Sequence, residues 1–358
     1  MKKKEHKYYD IREDIEKYPD AWCYIIYSHR GPGKTYSTLK YANDSNTPFI
    51  FMKRTDLDVE VICVSEDSFD LSPFKPINRD TGSRVYPTLL RKGMGLFHRY
   101  DEEGEVSGAP IGCILSLNKV SKYKGFDLSE FDWLIFDEFI PPIGEKVNRK
   151  EGDMLLELYM TVSRDRLLRG KKPLKLILLA NASSISTPIT NTLEITDTLA
   201  EMGAFGMAEY YDQEKAIYIH HLIEPEYQIV GENDPLRKAL GHTAWGKMAF
   251  EGEFAYNDFS NVVKNNIKSM RPYCKLYYKT HTYYVYYREY DSTFYFTESA
   301  FNQKGIPTYD LNKEMGQNLF YREKWIDLRN ACVEDRVKFS KYSMYDLLTN
   351  YKNFFKII

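Results

Sequence analysis

The stretch that most restricts this chain's fold runs from Trp22 to Lys40. An apolar run, Trp22-Cys23-Tyr24-Ile25-Ile26-Tyr27, leads into Ser28-His29-Arg30-Gly31-Pro32-Gly33-Lys34-Thr35 and then Tyr36-Ser37-Thr38-Leu39-Lys40. Buried strand, glycine-bearing turn and helix start, in that order, suit a fold that aims backbone N–H groups at an anion. Gly31 and Gly33 let the backbone approach phosphate oxygens, Lys34 can reach the β/γ-phosphates, and the Thr35 hydroxyl is placed to ligate Mg²⁺. Ser28, His29, Arg30, Pro32 and Tyr36 complete the candidate nucleotide-binding loop. Ser28 stands where the usual G-x-x-x-x-G-K-[ST] pattern has its first glycine, so the loop must enter its turn without that freedom. Taken alone, the stretch also fits a Gly/Pro turn followed by an incidental Lys-Thr pair.

A second feature gives the loop a partner. Phe131-Asp132-Trp133-Leu134-Ile135-Phe136-Asp137-Glu138-Phe139-Ile140 reads as a buried parallel strand that delivers two acids at its C-terminal end, where open α/β sheets bind ligands. Asp137 is the expected Mg²⁺ ligand, and Glu138 the group that orients and deprotonates an attacking water. A strand ending in an acidic loop is the plainer alternative for this segment on its own. Thr47 to Met52 forms another apolar strand ending in Lys53-Arg54, which gives a β-α-β opening. Those two cations suit either a base or phosphate contact or a solvated strand end. Apolar residues at helical spacing (Met154, Leu155, Leu158, Tyr159, Val162, Leu167, Leu168) predict an amphipathic helix over 151–168. A basic cluster follows it: Arg164, Arg166, Arg169, Lys171 and Lys172. The next buried strand, Leu174 to Ala180, ends at Asn181, placed to hydrogen-bond a lytic water or the γ-phosphate, or else to form an Asx-turn.

At 358 residues the chain has room for two domains, and its formal charge of −2 leaves nucleic-acid contacts to local patches. Five scattered cysteines suggest reduced core thiols, and no stretch approaches ~18 consecutive apolar residues, so a cytoplasmic protein without a membrane is expected. Periodicity is weak from Asp56 to Gly108, with short strands expected at 96–100 and 111–117. Residues 216–223 read as another strand of the first domain, with His220-His221 as surface or core histidines. Glycine, asparagine and proline mark 225–264 as the region of a hinge. Strand-like runs at 275–279, 282–290 and 293–298 are followed by helical patterns over 313–332 and 340–355, an α+β arrangement.

The segments Arg30 to Tyr36, Phe49 to Arg54, Ile135 to Ile140, Thr161 to Arg166 and Leu179 to Ser183 lie in order, and together they resemble the DNA-packaging (encapsidation) ATPases of small tailed phages. This is the phi29-like group, distantly related to terminase large subunits. The resemblance implies an α/β fold: a P-loop NTPase of the ASCE type, with an additional catalytic glutamate and a parallel sheet flanked by helices. A smaller α+β domain resembling a degenerate RNase H-like nuclease follows. The expected boundaries are 1–225 for the ATPase domain, 226–262 for a linker and 263–358 for the second domain.

The implied cofactors are ATP and Mg²⁺, with Thr35 and Asp137 on the metal and Lys34, Glu138 and Asn181 in catalysis. The implied assembly is a homo-oligomeric ring docked at the portal, or connector, of a procapsid in the host cytoplasm, driving double-stranded DNA inward. In such a ring Arg164 matches the arginine that acts on a neighbour's nucleotide, with Arg166 in reserve. Complementing a helix C-terminus is the simpler role for both. Lys119, Lys122 and Lys124 are weaker candidates for DNA or inter-subunit contact. In the second domain Glu289, Asp291 and Glu298 sit near strand ends and turns, and no acid follows the first strong strand. An inactive nuclease is therefore expected, with Lys264, Lys268, Arg271, Lys275 and Lys279 among the residues facing DNA or the portal. A terminase that also cuts DNA, and a nucleotide-gated assembly or secretion protein that moves no DNA, are the competing readings.

Overall fold

The computed structural model describes residues 8–64, 70–123, 125–224, 227, 234–264 and 267–357. Its contacts form two compact units, Met1–Leu193 with Glu201–Tyr256 and Glu194–Ala200 with Asn257–Ile358. The stretch 226–262 expected as a linker is thus shared: its described residues up to Tyr256 go with the first unit, the rest with the second.

In the first unit, α1 (Ile11–Lys17) precedes β1 (Cys23–Ser28), α2 (Lys34–Asp44) and β2 (Phe49–Lys53). Next come α3 (Asp56–Cys63), α4 (Lys75–Thr81), β3 (Val85–Arg91), β4 (Met94–Tyr100), β5 (Val106–Ser116) and α5 (Val120–Tyr123). β6 (Trp133–Asp137), α6 (Glu151–Ser163), β7 (Lys175–Asn181), β8 (Glu209–Asp212) and β9 (Ile217–Leu222) follow. The nine strands form one sheet in the order β3-β4-β5-β2-β6-β7-β1-β9-β8. From β5 to β9 every pairing is parallel, while β3, β4 and β8 add antiparallel edges. Alternate residues such as Tyr24, Ile26, Phe49, Phe51, Ile135 and Ile177 share one face and pack with Ile11, Leu39, Val59 and Ile77 of α1 to α4. The intervening residues Ile25, Ile50, Leu134 and Leu178 are buried too, so both faces of the sheet are covered, as a parallel core requires.

Two differences from the sequence expectation have physical causes. Between Asp56 and Gly108 lie α3, α4 and β3, none of which the weak periodicity indicates. Thr55 and Asp58 form a capping box that starts α3. Pro87 is accommodated because β3 is an edge strand, paired only with β4. The helix expected over 151–168 stops at Ser163: Arg164 leaves helical geometry (φ −51, ψ 130) and Asp165 is left-handed (φ 57). Leu167 and Leu168, which the spacing puts on the buried face, are therefore 73% and 88% exposed.

The second unit holds a five-stranded sheet of β10 (Arg271–Tyr278), β11 (His281–Arg288), β12 (Thr293–Thr297), β13 (Thr308–Asp310) and β14 (Val337–Phe339), in the order β13-β10-β11-β12-β14. β10, β11 and β12 form an antiparallel meander, with β13 parallel to β10 and β14 parallel to β12. The turn expected at Asp291-Ser292 joins β11 to β12 through a left-handed Ser292. Cys274, Leu276, Val285 and Phe296 pack against Phe320, Leu328, Met344 and Leu347 from helical segments in 314–333 and 342–354. All five cysteines are free thiols. No described helix is long and apolar enough to cross a membrane.

Candidate nucleotide-hydrolysis site

The parallel strands end together. Ser28 is in register with Asn181 on β7, Asp137 with Leu179, and Lys53 closes β2 beside β6. The turn after β1 depends on Gly31 (φ 107) and Gly33 (φ 91), positive values that glycine adopts without strain. Gly33 caps α2 and its carbonyl accepts the first helical bond, from Ser37 N–H at 2.8 Å.

Lys34 is the first residue of α2, and its ammonium folds back over the turn. It donates to Ser28 Oγ at 2.6 Å, to the His29 carbonyl at 3.1 Å and to Asn181 Oδ1 at 3.3 Å. Burial pushes its pKa down to about 7, against the pull of Asp137 and with Arg30 adding to the depression. A bound polyanion would supply the missing counter-charge. Ser28 thereby acquires a role that the first-position glycine could not fill: its hydroxyl, itself donating to the His29 carbonyl at 2.6 Å, is a docking point for the lysine.

Thr35 Oγ1 donates to Asp137 Oδ1 at 2.9 Å. Two hard oxygen donors at the mouth of a phosphate loop are the donor set that Mg²⁺ takes together with substrate phosphates, so these residues fit the ion. Lys53 Nζ reaches Asp137 Oδ2 at 2.9 Å and Glu138 Oε2 at 3.4 Å. Burial works against its charge but the two carboxylates outweigh it, and its pKa rises. A cation is thus already held at the acidic pair, further evidence that the site accommodates positive charge. Glu138 is half-exposed and left-handed (φ 59), a costly conformation for a residue with a Cβ.

A cavity of about 330 Å³ is lined by Arg30, Gly31, Gly33, Lys34, Thr35, Tyr36, Asp137, Glu138, Ala180 and Asn181. A larger one, about 560 Å³, continues past the shared Gly31, Gly33 and Tyr36 to Tyr8, Arg12 and Arg79. The structure brings together Arg30, Gly31, Gly33, Lys34, Thr35, Tyr36, Asp137, Glu138 and Asn181. The side chains of Ser28, His29 and Pro32 turn inward and are buried. Burial and the nearby Lys34 push the His29 pKa down to about 4, which keeps it neutral. The Pro32 carbonyl instead accepts the Tyr9 N–H at 2.9 Å, tying the N-terminal segment to the loop.

The basic cluster separates into different roles. Arg164, just past the end of α6, is exposed, with no hydrogen-bond partner among the described residues. Arg166 is 2% exposed and spent internally. It donates to the carbonyls of Ser129 at 3.0 Å, Phe131 at 2.6 Å and Lys172 at 3.0 Å, and to Asp132 at 2.5 Å. The reserve role for Arg166 in a neighbour's site is therefore withdrawn, since an arginine consumed by its own backbone cannot reach out. Lys119 pairs with Asp56, Lys122 is exposed, and Lys124 lies outside the described residues.

Sequence reasoning missed Lys53 as a clamp on the carboxylates, and it missed Arg54 and Glu151, which are buried and paired behind the site at 2.6 Å. Their relation to the acids depends on β2 lying next to β6, a neighbourhood that no local spacing reveals.

No protein-family model and no curated protein sequence matches this chain. Among solved structures, it is similar to the Phi-28 gp11 DNA packaging motor, at 13% identity over 98% of both chains with a TM-score of 0.63. It is also similar to the bacteriophage Phi-29 viral genome packaging motor assembly, at 14% identity over 97% of this chain and 99% of that one with a TM-score of 0.62. Over nearly its whole length, this chain shares the fold of those packaging motors.

Proposed function

We propose that this protein is an ATP-driven motor that moves double-stranded viral DNA into a preformed procapsid, hydrolysing Mg-ATP at the subunit interfaces of a ring. The observation that carries the reading is the convergence of Lys34, Thr35, Asp137, Glu138 and Asn181 on one cavity at the C-terminal strand ends. The fold likeness to packaging motors supports the choice of DNA as the cargo.

Loop N–H groups and Lys34 bind the β/γ-phosphates, and Asn181 orients the water or the γ-phosphate. Glu138, once released from Lys53, accepts the water's proton. Thr35 and Asp137 are the residues that would hold Mg²⁺, which when bound would supply charge neutralisation for the phosphates. Charge on the transferring group is also met by an arginine from the adjacent subunit, and Arg164 suits this role. It is exposed, and it neighbours the exposed apolar side chains of Met160, Leu167 and Leu168. The larger cavity beside Tyr36 is where the nucleoside is expected.

The second unit is taken as a non-cutting relative of RNase H-like nucleases. Each of its three candidate acids is engaged by a cation: Glu289 by Arg271, Asp291 by Arg288, and Glu298 by Lys341, with His281 Nδ1 also 3.2 Å from Glu298. Plasmid cleavage dependent on Mg²⁺ or Mn²⁺, lost on substituting those acids, would overturn that part. Hydrolysis by the purified protein, measured with and without double-stranded DNA and empty proheads, tests the motor reading. Stimulation by the two together is expected. A rate indifferent to both favours a nucleotide-gated assembly protein instead.

A further inference from the structure

The buried Arg54 lines neither cavity, yet it touches the backbone of the residue expected to act as base. It is the first residue after β2, is 5% exposed, and stacks 5.5 Å from the Phe136 ring. Its Nη2 donates to the carbonyl of Glu138 at 3.1 Å and to that of Phe139 at 3.0 Å. Its Nε donates to Glu151 Oε1 at 2.6 Å, and Nη1 lies 3.4 Å from Glu145 Oε1. Phe139 N–H meanwhile donates to the Leu179 carbonyl at 3.1 Å, so the peptides after the strand are held from two sides.

Glu138 requires such a grip. Its left-handed backbone costs on the order of 1–3 kcal/mol and persists only where surrounding contacts over-determine it. The pairing of Arg54 with Glu151 is also a poor device for stability alone. Glu151 is 1% exposed and its Oε2 has no hydrogen-bond partner among the described residues, so the ion pair leaves a buried acceptor unsatisfied. What the pair does secure is the direction of the guanidinium, anchored on the first residue of α6.

We infer that Arg54 is a positioning residue for hydrolysis, which holds the Glu138 and Phe139 carbonyls so that the Glu138 carboxylate faces the attacking water. The inference rests on the proposed role of Glu138. Arg54 lines neither of the two cavities, so its removal is expected to act on turnover and leave binding alone. Misplacing a catalytic group by about 1 Å costs on the order of 10²-fold in rate.

The test uses the full chain under conditions where the wild type hydrolyses Mg-ATP. It compares Arg54→Met, Arg54→Lys, Glu138→Gln and the pairs Arg54→Met/Glu151→Met and Arg54→Met/Glu138→Gln. The Arg54→Met/Glu151→Met pair removes both buried charges together, so it stays folded if Arg54→Met does not. Expected is a roughly 100-fold loss of kcat, with Mg-ATP affinity unchanged within about twofold, in whichever of Arg54→Met and Arg54→Met/Glu151→Met is folded. In the Glu138→Gln background the same substitution should lower the rate no further, because the group it positions is already gone. Arg54→Lys, which cannot grip two carbonyls and Glu151 at once, should not restore the rate. Wild-type kcat in a folded Arg54→Met/Glu151→Met protein overturns the inference, as does a further loss on top of Glu138→Gln. Glu138→Gln turning over at the wild-type rate would instead overturn the assignment of Glu138 as base, a separate failure.

Discussion

Replacing Arg166 by methionine separates an architectural arginine from one that acts outside its own subunit. In the folded chain, Arg166 is the sole described side-chain donor to the Phe131 and Lys172 carbonyls, whereas the Ser129 carbonyl keeps a second donor in Lys171 Nζ at 3.1 Å. Both carbonyls are part-buried, and losing their charged donor costs about 1–3 kcal/mol each. The lost pairing with Asp132, which is 43% exposed, adds only about 0.2–1 kcal/mol. The expected total is about 2–7 kcal/mol. For a unit of this size, each kcal/mol moves the midpoint by about 2–4 °C, so the first unit's transition should fall by roughly 4–28 °C in scanning calorimetry. Arg164→Met, at an exposed position, should stay within about 0.5 kcal/mol, or about 2 °C. If Arg166→Met shifts the midpoint by less than 2 °C, its network is not what ties the 129–132 segment to 166–172, and the division of labour between the two arginines is wrong.

Three further outcomes follow from the site and its surroundings. Because the Lys34 pKa is pushed down to about 7 in the free protein, nucleotide binding at pH 8 should take up most of a proton as the phosphates hold the lysine charged; titration calorimetry in buffers of differing ionisation enthalpy reads this, and zero uptake contradicts it. Arg164→Ala should be inactive alone but restore turnover when mixed with Glu138→Gln subunits, and inactivity of every mixture argues against action in trans. Burial opposes charge on His220, but its bonds to Asp14 at 3.0 Å and its pairing with Glu224 win and raise the pKa to about 9. A folded value above the unfolded ~6.5 means that this stabilisation is complete below pH ~6.5 and is lost as pH rises to about 9. Lys34, depressed, acts in the opposite sense above pH 7. The quantity to measure is therefore the midpoint difference between wild type and Asp14→Asn, which should shrink from pH 6.5 to 9; a constant difference removes His220 from the account.

The strands that carry the site were legible because their information is local. An apolar run ending in Asp137-Glu138, and another ending in Ser28 before two glycines, each announce a strand and the candidate site residues at its tip within ten residues. The β-α-β opening followed from the same reasoning. What stayed hidden depends on neighbours distant in sequence. Ser28 looked like a defect until Lys34 was seen folded onto its hydroxyl. Lys53 and Arg54 suited a base or phosphate contact and a solvated strand end equally, because their partners lie 84 to 97 residues away across the sheet. Leu167 and Leu168 satisfied helical spacing, but spacing carries no information about where a helix stops, and Asp165 in a left-handed conformation is not announced by its residue type.

The most direct test of the account is single-site turnover of Mg-ATP by Glu138→Gln beside wild type and Lys34→Ala. The account predicts that Glu138→Gln binds ATP as wild type does while hydrolysing it at least about 100-fold more slowly, and that Lys34→Ala neither binds nor hydrolyses normally. Glu138→Gln hydrolysing at the wild-type rate would contradict it.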